Sequence, residues 1–89
     1  MSPKHEVELA ASAERDLERL SGNAAKDVQK FLDGPLRDNP HRAGEPLAGP
    51  RTGTHEALGD GWRVLYQVDD DRLEVRVVVI ARRLDTVAR

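Results

Sequence analysis

The chain of 89 residues has no cysteine. That excludes a disulfide framework, a thiolate zinc site and a cysteine nucleophile, and leaves packing as the source of stability. The same absence suits a reducing compartment, so a cytoplasmic location is expected. No apolar run reaches the length of a membrane span, and the charged N-terminal third lacks the hydrophobic stretch of a secretion signal, so no membrane association is expected. A basic excess is missing as well: 14 Lys and Arg against 16 Asp and Glu give a net charge of −2, whereas nucleic-acid binders are usually basic. The distribution softens that exclusion. Three of the acids in the second half stand together at Asp69-Asp70-Asp71, at the opposite end of a hairpin from Arg63, Arg82 and Arg83. One end can therefore be locally basic, and local field governs a bound polyanion.

What is present is a strong hairpin signal. Trp62-Arg63-Val64-Leu65-Tyr66-Gln67-Val68 and Arg72-Leu73-Glu74-Val75-Arg76-Val77-Val78-Val79-Ile80-Ala81-Arg82-Arg83 are rich in β-branched residues and flank the acidic turn. With the turn centred on Asp70 and Asp71, Val68 faces Leu73, Tyr66 faces Val75, Val64 faces Val77 and Trp62 faces Val79. Strand alternation then gives an apolar face of Trp62, Val64, Tyr66, Val68, Leu73, Val75, Val77, Val79 and Ala81. The other face carries Arg63, Leu65, Gln67, Glu74, Arg76, Val78, Ile80 and Arg82, a mixture of cations and aliphatics that reads as the working surface. A slip of one residue would exchange these roles. Trp62 and Tyr66 read as core rather than as base-stacking platforms, and the Asp69–Asp71 triplet as a solvated turn, because it lacks the ligand spacing of a calcium loop.

Around the hairpin, Val7 and Leu9 alternate with polar residues and predict a first strand over residues 4 to 9. Ser12 offers an N-cap to a first helix over residues 13 to 20, which Gly22 ends. Asn23 caps a second helix with the stripe Ala24, Val28, Phe31 and Leu32; it kinks or restarts at Gly34-Pro35 and stops at Asn39-Pro40. Residues 40 to 53 form an irregular connection, and residues 54 to 58 a short strand. The expectation is one α+β domain over residues 1–89, a β-α-α-β-β-β order with a two-helix hairpin on one face of a twisted, mostly antiparallel four-stranded sheet. A chain of this size buries about 60–70% of its unfolded surface, so one small core is expected. His5 and His41 belong to no motif.

Several segments in this order resemble the RelE/ParE superfamily of type II toxin-antitoxin toxins, and within it the RelE-like mRNA interferases: Ala13-Glu14-Arg15-Asp16-Leu17, Gly34-Pro35-Leu36-Arg37-Asp38-Asn39-Pro40, Gly44-Glu45-Pro46-Leu47, Gly61-Trp62-Arg63-Val64-Leu65-Tyr66-Gln67-Val68 and Arg82-Arg83. The resemblance spans nearly the whole chain. It implies a ribosome-dependent endoribonuclease that cuts mRNA by attack of the ribose 2′-hydroxyl on the adjacent phosphate, with no metal and no cofactor. The implied partners are a cognate antitoxin, the ribosome and mRNA.

Carried over residue by residue, the resemblance places Arg63 on the scissile phosphate, with Arg83 and Arg82 as the basic pair at the end of the last strand. Arg76 and Arg51 are further phosphate-binding candidates. Strict alternation puts Arg83 on the covered face, so a role for it requires the strand to end or twist after Ala81. Two features depart from the family pattern. Lysines common on the second strand are replaced by Thr54, His55 and Glu56, and a tyrosine near the C-terminus has no counterpart. Either His55 or Glu56 can serve as the base, since both accept protons near neutral pH; which one points into the cleft depends on the loop Gly59-Asp60-Gly61. Two other readings share the fold: a ParE-like, non-enzymatic inhibitor of DNA gyrase, and an inactive homologue that only binds antitoxin.

Overall fold

The computed structural model describes residues 4–49 and 53–83. The order is β1 (Glu6–Leu9), α1 (Ala11–Arg19), α2 (Gly22–Asp33), the one-turn helices α3 (Pro35–Asp38) and α4 (Pro40–Ala43), β2 (Glu45–Pro46), β3 (Thr54–Gly59), β4 (Trp62–Asp69) and β5 (Glu74–Arg82). The strands form one sheet in the order β1-β5-β4-β3-β2. β1 runs parallel to β5 and every other pair is antiparallel. The sheet thus has five strands where four were expected. The additional one is the two-residue edge strand β2, in which Pro46 sits opposite His55; an edge tolerates a proline because no further strand needs its missing N–H.

The apolar stripe of the helices folds onto one sheet face. Ala13, Val28, Leu32 and Leu36 pack with Ala57, Trp62, Val64, Tyr66, Val75, Val77 and Ile80 in one buried cluster. Pro35 restarts the helix after Gly34, as its fixed φ and absent N–H require. α1 begins earlier than expected: Ala10 is its N-cap and Ser12 lies inside the first turn. Gly22, at φ +65°, opens α2 instead of closing α1. Tyr66 is fully buried, and its hydroxyl donates to the Pro40 carbonyl at 2.6 Å. Burial pushes its phenol pKa up to about 12.

The hairpin departs from the expected register in two ways. The turn is longer, with Asp69 opposite Glu74 and Val68 opposite Val75; this shift of two residues preserves the faces. After Tyr66 opposite Val77, however, the ladder slips, and Leu65 faces Val79, Val64 faces Ile80, Arg63 faces Ala81 and Trp62 faces Arg82. Val78 is the unmatched residue of a β-bulge. From there on the expected faces are exchanged. Ile80 enters the core at 3% exposure, Arg82 turns to the helical side, and Val79 and Ala81 join the open face.

Candidate functional site

The open face is built from alternate residues of three neighbouring strands. Glu56 and Leu58 stand opposite Leu65 and Arg63, which stand opposite Val79 and Ala81. Leu65, 2% exposed yet outside the helix-side cluster, is the floor between Glu56 and Val79. Above it the Arg63 Nη2 lies 3.1 Å from the Glu56 Oε2, with the two side chains 42% and 27% exposed. The Arg63 Nε is buried and has no partner among the described residues. Leu58, 51% exposed, is the large apolar side chain beside this pair.

The turn between β3 and β4 settles which second-strand residue joins Arg63. Gly59 pairs with Trp62 across Asp60 and Gly61, and Gly61 takes φ +85°. This two-residue hairpin turn sets the parity that brings Glu56 to the open face. It sends His55 to the other side, where it faces Tyr66 and its ring stacks on the phenol with centroids 5.4 Å apart. The His41 ring meets His55 edge-on at 5.5 Å. Burial, with the neighbouring charge of His41, lowers the His55 pKa, against an opposing pull from Asp70. His55 therefore lies away from the arginine site.

The bulge has the converse effect on the basic pair. The Arg83 amide donates to the Gly61 carbonyl at 2.9 Å and continues the ladder past β5. Arg63 faces Ala81, so Arg83 is its diagonal neighbour on the same face, and residues in such pairs are about 7–8 Å apart. Its Nη1 donates to the Gly59 carbonyl at 3.4 Å, and the side chain walls a hollow of about 230 Å3 with Gly59, Asp60 and Gly61. Arg82 faces Trp62 on the helical side, in a groove with Asp16, Arg19, Leu20 and Ile80. Arg76 is on the open face but beyond the bulge, in a hollow of about 690 Å3 that it shares with Arg72 and the carboxylates of Glu8, Asp69, Asp70, Asp71 and Glu74. Those carboxylates set an acidic field around it. Arg51 lies outside the described residues.

One constellation has no signal in the sequence. All three histidines gather near Asp70. The His41 Nε2 is 2.9 Å from both carboxylate oxygens and the His5 Nε2 is 3.3 Å from one. The hydrogen bond from His41, with that from His5 and against partial desolvation, holds the Asp70 carboxyl below its ordinary range. These contacts join residues 29 and 65 positions apart, a distance at which spacing carries no information. Among the described residues, no group of three or more His, Asp or Glu side chains is arranged to hold a metal ion, and no helix is long and apolar enough to cross a membrane.

No protein-family model matches the chain. A curated relative does: Toxin RelE of Mycobacterium tuberculosis is 43% identical over 81 residues, which are 91% of this chain and 82% of the relative. The chain belongs to the RelE family of type II toxin-antitoxin toxins. A second RelE-family relative, Toxin RelG of the same organism, is 32% identical over 83 residues, 93% of this chain and 95% of its own. Among solved structures, the RelBE2 toxin-antitoxin complex of M. tuberculosis contains a chain that superposes with a TM-score of 0.86 at 32% identity, covering 92% of this chain and 100% of that one. The isolated RelE toxin of E. coli superposes with a TM-score of 0.75 at 18% identity, covering 93% and 88%, a likeness of fold. The α+β expectation and the RelE resemblance both stand.

Proposed function

We propose that this RelE-family toxin is a cytoplasmic endoribonuclease that cuts mRNA on the ribosome, with Arg63, Arg83 and Glu56 as its working residues. The observation that carries the reading is Arg63: it stands on the sheet face opposite the helices, half exposed, in an ion pair with Glu56, and its buried Nε has no partner among the described residues. A planar, permanently charged fork of this kind suits a phosphate with developing negative charge.

The chemistry needs little else, because RNA supplies its own nucleophile. The 2′ oxygen forms a bond to the adjacent phosphorus, the bond from phosphorus to the 5′ oxygen breaks, and a 2′,3′-cyclic phosphate remains. Glu56, released from Arg63 when phosphate takes its place, accepts the 2′ proton; the departing oxygen takes a proton from solvent water. Positioned proton transfer contributes about 10²–10⁴-fold. Arg63 and Arg83 stabilise the charge of the pentacoordinate phosphorane, a contribution of about 10²–10³-fold per well-aimed donor. The exposed Leu58 and the cationic pair beside it suit an antitoxin segment laid across the same surface, and RelBE complexes among the structural relatives support such a partner.

Inducible expression followed by mapping of mRNA 5′ ends tests this reading. Cuts inside translated codons that disappear in Arg63→Ala are expected. Gyrase-linked DNA breaks with intact message, or harmless expression of folded protein, would overturn it in favour of a gyrase inhibitor or an inactive antitoxin-binding homologue.

A further inference from the structure

The β-bulge decides which arginine reaches the open face, and side chains of α1 are bonded to it. β5 runs beside β1 as far as Val77, opposite Leu9. Along that edge the Glu6 amide donates to the Leu73 carbonyl and the Ala10 amide to the Val77 carbonyl, each at 2.9 Å. Past Val77 the helix takes over from the strand. The Ser12 hydroxyl donates to the Val78 carbonyl at 3.1 Å, and the Ile80 amide donates to the Asp16 carboxylate at 3.1 Å. Bonds on this edge thus fall at odd positions, 73 and 77, before the bulge and at even positions, 78 and 80, after it. Ser12 and Asp16 are four residues apart, on one face of α1.

In an unbulged ladder continuing from Tyr66 opposite Val77, Arg63 would face Ile80, Trp62 would face Ala81 and Gly61 would face Arg82. Arg82 would then stand beside Arg63, and Ile80 would leave the core. We infer that Ser12 and Asp16 are positioning residues of the RNA site: by holding the bulged phase of β5 they place Arg83, and not Arg82, next to Arg63. The inference rests on the reading of that site as a phosphate site. It assigns Asp16 a task that neither the core nor the proposed chemistry uses.

The test combines nuclear Overhauser contacts with anisotropy measurements of binding to a short 2′-O-methyl single-stranded RNA, which the proposed chemistry does not cut. Asp16→Ala should replace the cross-strand contact of Arg63 with Ala81 by one with Ile80, and Asp16→Asn, which keeps an acceptor, should retain the native contact. In the native background Arg83→Ala should weaken RNA binding about tenfold, the scale of a lost charge-assisted hydrogen bond, and Arg82→Ala should do less. In the Asp16→Ala background that order should reverse, a coupling that loss of stability alone does not produce. Should Asp16→Ala fail to fold, Ser12→Ala takes its place in the same two measurements. An intact contact between Arg63 and Ala81 in the variant overturns the inference and leaves the RNA reading standing. A shifted contact with RNA binding insensitive to both arginines overturns the RNA reading instead.

Discussion

Replacing Glu56 by glutamine separates what the Arg63–Glu56 pair does for stability from what it does for RNA. The pair is 3.1 Å long with side chains 42% and 27% exposed. Partly solvated pairs of this kind contribute about 0.2–1 kcal/mol. The variant should therefore stay folded, with Tm lowered by no more than about 4–8 °C for a domain of this size. Affinity for an uncleavable RNA should hold or rise, by up to about fivefold, because the carboxylate that competes with phosphate for Arg63 is gone. Cleavage should fall by about 10²–10⁴-fold, the usual loss on removing a positioned base. The assay is the rate of message cutting on purified ribosomes, run beside melting and anisotropy measurements. A Glu56→Gln chain that cuts at the native rate would refute the assignment of Glu56 as base.

Tyr66→Phe leaves the buried Pro40 carbonyl without its donor and should cost about 1–3 kcal/mol in chemical denaturation, with RNA cleavage intact below the melting range. Tyr66 is the sole tyrosine, so its ultraviolet titration is unambiguous. Its pKa is raised from 10.0 to about 12, so its share of stability is complete below pH 10 and is lost as pH climbs through 12; phenolate absorbance near pH 10 with the fold intact would contradict this. His55→Phe keeps the stack on Tyr66 and should change cleavage less than about threefold, as expected for a residue on the far side of the sheet from the site. Because the His55 pKa is lowered from 6.5, the native chain loses stability as pH falls below 6.5 through the folded value, and acid denaturation of the variant should lack that component.

The helical layer was legible because its signals are local: the stripe of Ala24, Val28, Phe31 and Leu32, and Pro35 as the restart. The faces of β4 were legible because Trp62, Val64, Tyr66 and Val68 alternate with Arg63 and Gln67. The far half of β5 was not, since Val77-Val78-Val79-Ile80-Ala81 is apolar at both parities and gives no mark of a slip. What fixes its phase lies in α1, 64 and 66 residues away. Arg63 could be placed on the open face from sequence. Placing Arg83 there required the bulge, and choosing Glu56 over His55 required the turn at Asp60 and Gly61 to be known as a two-residue one.

The most direct measurement gives the purified chain ribosomes programmed with a message carrying a single 2′-deoxynucleotide on the 5′ side of the mapped cut. The account predicts no cleavage at that position, cleavage of the all-ribose message to an end bearing a 2′,3′-cyclic phosphate, and loss of that cleavage in Arg63→Ala. A deoxy-substituted message cut as fast as the native one, or an Arg63→Ala chain as active as the native protein, would contradict it.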